Sequence, residues 1–190
     1  MRYCVNAIRL ALRVERSVLE MVRCSYDQHA RAVLDILNDT IVNSTALYDY
    51  EQRKFESMIS WFESKKRGNY PVIGVEQSGE LLAFASYGAF RQWPAYKYSI
   101  EHSVYVRADQ RRRGLGQWLL RELIKCAERQ NYHLVVGGID VTNEPSIRLH
   151  QKLGFTHAGT ISHAGFKFGR WLDLAFYQLI LETPRHPIDG

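Results

Sequence analysis

Glu101 stands inside a run of β-formers, residues 99–106, where a carboxylate is unusual. Strand alternation puts Glu101, Ser103 and Tyr105 on one face and Ile100, His102, Val104 and Val106 on the other. If buried, Glu101 has a raised pKa and can act as a general base near neutral pH; at an edge or in an ion pair it is structural. Beyond the strand comes Arg111-Arg112-Arg113-Gly114-Leu115-Gly116-Gln117, and from Leu115 the apolar residues recur at helical spacing: Leu119, Leu120, Leu123, Ile124, Ala127. A helix N-terminus offers unpaired N–H groups and partial positive charge, and glycine lets an anion approach closely, so this junction is a candidate phosphate seat. A solvated charge run before an ordinary helix fits the same residues. A P-loop is excluded because no Gly-Lys-Ser/Thr occurs here, and a full G-x-G-x-x-G fails at Leu119.

Two further groups carry polar chemistry. Asn143-Glu144-Pro145-Ser146 reads as a helix start, with Asn as N-cap and Pro in the first turn, and His150 follows Ser146 by about one turn. His150 is either a satisfied helix histidine or a proton donor. Arg91, Trp93, Tyr96 and Lys97 lie in an aromatic, irregular stretch, residues 88–98, just before Glu101. They either cover a loop or form the cationic cluster that a small amino acid's carboxylate requires.

The elements that position these residues follow from punctuation and period. Residues 18–24 read as a first strand, and Ser25 with Asp27 signals a helix carrying Ala30, Val33, Leu34, Ile36 and Leu37. Residues 40–50 read as a loop, and Phe55, Met58, Ile59 and Phe62 carry a second helix ending near Gly68-Asn69. Residues 72–76 and 81–87 form a hairpin around Gln77-Ser78-Gly79-Glu80. After strand 99–106, the Leu115 helix runs to about Gln130, residues 133–139 form a strand buried on both faces, and the Asn143 helix ends at Gly154-Phe155. Strands at 156–167 and 173–182 complete the chain. Strands and helices intermix, so the fold class is α/β or α+β with a mixed sheet.

At 190 residues the chain fits one domain, residues 18–182, between an N-terminal extension of residues 1–17 and a tail of residues 183–190. Met21 is a second candidate start. Cys4, Cys24 and Cys126 are odd in number and unpaired by any C-x-x-C spacing, which fits a reducing cytoplasm and argues against a structural zinc site. The net charge of +5 suits an anionic ligand. Basic residues are dispersed apart from Arg111 to Arg113, without the stripe expected of a nucleic-acid binder, and arginines interrupt every apolar run near the N-terminus before it reaches membrane-spanning length.

Together, Val104-Tyr105-Val106 followed by Arg111-x-x-Gly114-x-Gly116, and Asn143-x-x-Ser146-x-x-x-His150-x-x-x-Gly154-Phe155, resemble the two acyl-CoA motifs of the GNAT acyltransferase superfamily. Glu101 to Val106, Ser146 to His150 and Lys167 to Leu174 resemble the phosphinothricin acetyltransferase group, nearest to L-amino acid N-acyltransferases acting on methionine sulfone and methionine sulfoximine. The resemblance covers residues 18–182. It implies a mixed, strongly twisted sheet of about seven strands flanked by about four helices, split between the 99–106 and 133–139 strands. It implies acetyl-CoA as acyl donor and no metal. Val104 and Val106, with Tyr105 between them, would offer backbone groups to the pantetheine arm. Amides from about Arg112 to Gln117 (Arg113, Gly114, Leu115 and Gly116 between them) would hold the pyrophosphate, Asn143 would contact the pantetheine or its thioester end, and Arg111 and Ser146 would also bind the cofactor. Glu101 would deprotonate the amine, His150 would be a candidate acid, and Arg91, Trp93 and Lys97 would meet the acceptor. Lys97 stands where the group usually has arginine, which removes bidentate geometry there. The group implies a homodimer with residues 166–171 near the contact. Transfer to a protein amine, or acyl-CoA binding without transfer, are the alternative functions.

Overall fold

The computed structural model describes residues 18–189; the 1–17 extension, with Cys4, lies outside them. One seven-stranded sheet runs in the order β1-β2-β3-β4-β5-β7-β6, built from β1 (Leu19–Arg23), β2 (Val72–Gln77), β3 (Glu80–Ala89), β4 (Ser99–Val106), β5 (Leu134–Asp140), β6 (Thr156–Lys167) and β7 (Arg170–Ile180). All neighbours are antiparallel except the central pair, β4 and β5. Four α-helices among the described residues flank the sheet: α1 (Tyr26–Asn43), α2 (Ser57–Arg67), α3 (Leu115–Arg129) and α4 (Glu144–Lys152). The mixed architecture expected from the sequence is therefore present.

Each face of the sheet has its own core. Ala83, Ala85, Tyr87, Ile100, Val135 and Ile139 pack under Leu115, Leu119, Leu120 and Leu123 of α3. Phe84 and Leu81 pack on the other side with Val33, Leu34 and Leu37 of α1 and Met58 of α2. The period of two in β3 and β4 thus separates two compartments. No helix of the described residues is long and apolar enough to cross a membrane.

Two boundaries differ from the sequence reading. Residues 40–43 belong to α1 rather than to a loop: Ile41 is buried, Thr40 returns its hydroxyl to the Ile36 carbonyl, and the Ser44 amide and hydroxyl both close on the Thr40 carbonyl. The last strand begins at Arg170, not Asp173. Phe168 and Gly169, with φ of 52° and 73°, make a two-residue turn that pairs Lys167 with Arg170, and left-handed turns of this kind match the twist of the strands they join.

Candidate active site

The sheet opens at its centre. β4 pairs with β3 from Ile100 to Val106, but with β5 only through Ser99–Leu134, Ile100–Val135 and Glu101–Val136. Past that point the β5-facing main chain of residues 102–106 has no strand partner. Side chains at the fork account for the parting. A Cβ on Gly137 would stand 2.9 Å from His102 Nε2 and 3.0 Å from His150 Nε2; one on Gly138 would stand 3.2 Å from Glu101 Oε1. Two consecutive glycines therefore leave room for a carboxylate on one face and two imidazoles on the other.

On the α1 and α2 face, the half-buried Glu101 carboxylate rests against Gly138, where Leu174 and Phe176 also approach. Phe90 meets Phe176 edge to face at 6.4 Å, and the Arg91 guanidinium lies 4.1 Å over Phe90 while donating to the Phe90 carbonyl at 2.8 Å. Burial raises the Glu101 pKa above the ordinary carboxylate range, and the Arg91 charge partly opposes the rise. Arg91 and Glu101 are thus electrostatic neighbours. Trp93 and Lys97, with Arg91, Tyr70, Tyr96 and Tyr132, line a cavity of about 180 Å³ whose walls do not include Glu101 itself.

On the opposite face, the loop into α3 holds Arg112 at φ 63° and Gly114 at φ 81°, left-handed positions that turn successive amides toward a common side. Gly114 is the N-cap and supplies no side chain, so the first-turn N–H groups stay open. A Cβ on Gly116 would point between Leu149 of α4 (3.5 Å) and Val106 and Val104 of β4 (3.6 and 3.8 Å). The first turn of α3 thus borders the opening. Arg111, Arg112 and Arg113 are exposed. Arg113 reaches Gln77 at 3.2 Å and also bonds Gln110. Leu115 is core, leaving only its amide for a ligand, and Gln117 is half-buried. Tyr105 sends its ring to the other face, 5.2 Å from Phe84, so only its backbone faces the fork.

Across the opening, Asn143 caps α4 by accepting from the Ser146 amide at 3.3 Å, leaving its NH2 end for a ligand. His150 is buried, its Nδ1 2.7 Å from the Ser146 carbonyl and its Nε2 3.1 Å from His102 Nε2. A carbonyl only accepts, so the one proton of a neutral His150 is spent on Ser146. Burial lowers the pKa of His150, with the Ser146 carbonyl opposing. Burial and then His150 lower that of His102 to about 3.

Two buried charged residues outside the sequence-derived set, Lys167 and Asp140, tie down segments near the fork. Lys167, buried in β6, donates to the carbonyls of Ile41 (2.7 Å), Ser44 (3.0 Å) and Leu47 (2.6 Å), tying the hairpin to the loop after α1. Asp140, at the end of β5, accepts from the Thr142 amide and hydroxyl at 2.8 Å and from Arg170 at 3.4 Å. Only Lys167 carries a hint in sequence, as a charge between Phe166 and Phe168. Lys167→Met removes all three bonds and leaves inward carbonyls unpaired; the melting temperature is expected to fall by about 5–10 °C. An unchanged melting curve would contradict the tether.

Comparison with known proteins agrees with this geometry. Residues 31–155 match the model of the Acetyltransferase (GNAT) family. The chain is 42% identical over 154 residues to the L-methionine sulfoximine/L-methionine sulfone acetyltransferase of Pseudomonas aeruginosa, covering 80% of this chain and 90% of that protein. The solved structure of ACIAD1637 from Acinetobacter baylyi ADP1 superposes with a TM-score of 0.91 at 57% identity, covering 93% of this chain and 99% of the other. The yncA protein of Salmonella typhimurium, solved with its cofactor acetyl-CoA, gives 0.85 at 34% identity over 90% and 98%. The fork, the amide-rich helix start beside it and these matches lead to one assignment: the chain belongs to the GNAT acetyltransferase family.

Proposed function

We propose that the protein moves an acetyl group from acetyl-CoA to the α-amino group of a small amino-acid-like acceptor, of the methionine sulfone, methionine sulfoximine or phosphinothricin type. The observation that carries this reading is the half-buried Glu101 carboxylate at the fork, with the Arg91 charge as its neighbour. An α-amino acid bears an ammonium and a carboxylate on one carbon; Glu101 and Arg91 offer the complementary pair.

Acetyl-CoA supplies an activated acyl group. The open amides at the start of α3 seat its pyrophosphate, and the unpaired edge of residues 102–106 accepts the amide-bearing pantetheine arm as an added strand would be accepted. The NH2 of Asn143, with Ser146 beside it, faces the arm from α4. Glu101 takes a proton from the ammonium, directly or through one water, and the neutral amine attacks the thioester carbonyl. A backbone N–H near the end of β4 stabilises the oxyanion. A thiol has a pKa near 8.5, so the sulfur leaves as thiolate without a strong acid, which suits a site where His150 has no free N–H. Trp93 and Lys97, which share a cavity with Arg91, shape the approach to the acceptor site. Free thiols at Cys24 and Cys126 support a cytoplasmic setting, and the exposed Phe166, Phe168 and Trp171 support a homodimer through the β6–β7 hairpin.

Thiol release from acetyl-CoA, measured over a panel of amino acids including the three named, tests the reading. Turnover with one or more α-amino acids is expected; tight acetyl-CoA binding with no turnover would replace transfer by a binding role. Arg91→Gln should raise KM for the amino acid by about 10–100-fold, the worth of a charged hydrogen bond, with kcat little changed. An unaltered KM would remove Arg91 from the acceptor site.

A further inference from the structure

The buried histidines have a determined proton arrangement. His150 Nδ1 holds a proton because its partner at 2.7 Å is the Ser146 carbonyl. The neutral ring then presents a bare Nε2 to His102 Nε2 at 3.1 Å, a hydrogen bond only if His102 carries its proton there. His102 Nδ1 is left as an acceptor, and it is buried without a partner. The bonds run one way, from His102 to His150 to the Ser146 carbonyl. A carbonyl cannot pass a proton on, so the pair is no relay. What it does is spatial: it spans from β4, just past the last β4–β5 pair, to α4, over the bare Cα of Gly137.

We propose that His102 is a positioning residue for acyl transfer: its single N–H, given to His150, holds β4 to α4 across the fork and sets the width of the slot that receives the thioester end of the donor. The proposal rests on the acetyl-transfer reading above.

The surroundings favour a permanently neutral clamp. Facing the two rings are the Gly137 backbone from β5, the Ser146 carbonyl and hydroxyl from α4, Phe155 beyond α4 and Tyr177 from β7. Tyr87, the β3 neighbour of His102, spends its hydroxyl on Gln130. None of these groups carries a charge at neutral pH, so a proton added at the shared nitrogens would set N–H against N–H with no counter-charge. Burial opposes that proton as well.

Two measurements on the full-length protein decide the matter. Nitrogen-15 spectra of histidine-labelled protein should show His150 protonated on Nδ1 and His102 on Nε2, with neither ring titrating between about pH 8 and 5, across the ordinary histidine range. His102→Leu should weaken acetyl-CoA about 10-fold, read as KM or as a calorimetric dissociation constant, with amino-acid KM unchanged. His102→Gln keeps a side-chain N–H donor at similar reach and should restore donor affinity to within about 3-fold. Either ring titrating near its ordinary pKa, a proton on His150 Nε2, or a Gln variant as impaired as Leu would overturn the proposal. The spectra and the Gln variant suffice if the Leu variant fails to fold. The calorimetric constant reads the clamp even in a protein that turns over no amine, so failure of the clamp and failure of the transfer reading remain distinguishable.

Discussion

Glu101→Gln is expected to lower kcat/KM by about 10²–10⁴, the span that removal of a general base produces. Gln keeps the shape of the side chain against Gly138, so folding and acetyl-CoA affinity should be close to those of the parent. The loss belongs to the proton. An amino acid's amine is mostly ammonium at neutral pH and cannot attack until one proton leaves, and a neutral amide cannot take it. The pH profile carries a second signature. As the proposed base Glu101 must be ionised, and burial has raised its pKa, so parent kcat/KM should fall as pH drops through that raised value. This limb should be absent in the Gln variant. Equal rates for the two proteins across pH 6–9 would rule out the base.

Gly116→Val is expected to weaken acetyl-CoA by about 10–100-fold, corresponding to the 1–3 kcal/mol of an overpacked contact. The first carbon of the new side chain fits, since its neighbours Leu149, Val106 and Val104 stand 3.5–3.8 Å away. The branch methyls would crowd these three side chains, which border the slot between β4 and α4. Valine is no worse than glycine in a helix, so α3 should still form. Gly116→Ala serves as the control and should bind within about 3-fold of the parent, because it adds only the carbon that fits. Normal affinity in the Val variant would move the donor away from the start of α3. Gly114 differs: its surroundings are open but its φ is 81°, so substitution there strains the backbone instead.

Much of the fold was legible in the sequence because local signals agreed with it. Gln77 to Glu80 turns between β2 and β3, and the spacing from Leu115 to Ala127 gives the buried stripe of α3. The period of two also separated Glu101 from His102. Misread boundaries have local causes: α1 outlasts its polar Thr40 because that hydroxyl bonds back to the helix, and the last turn places Phe168 at a left-handed φ that phenylalanine seldom takes. Within the site, contacts spanning many residues were invisible. His102 meets His150 across 48 positions and Lys167 meets Leu47 across 120, and no spacing rule reports such pairs. Gly137 and Gly138 pass for members of an apolar run until both neighbouring faces are known.

The division of the sheet into two compartments bears on traffic. The amides proposed to seat the donor open on the α3 side, while Glu101 shares the face of Tyr105, which packs with the α1 core. In the proposed transfer the fork is then a window between two compartments, and the acetyl group is the only cargo that must pass through it. With donor and acceptor seated as proposed, coenzyme A and the acetylated product would begin their departure from opposite faces of the sheet.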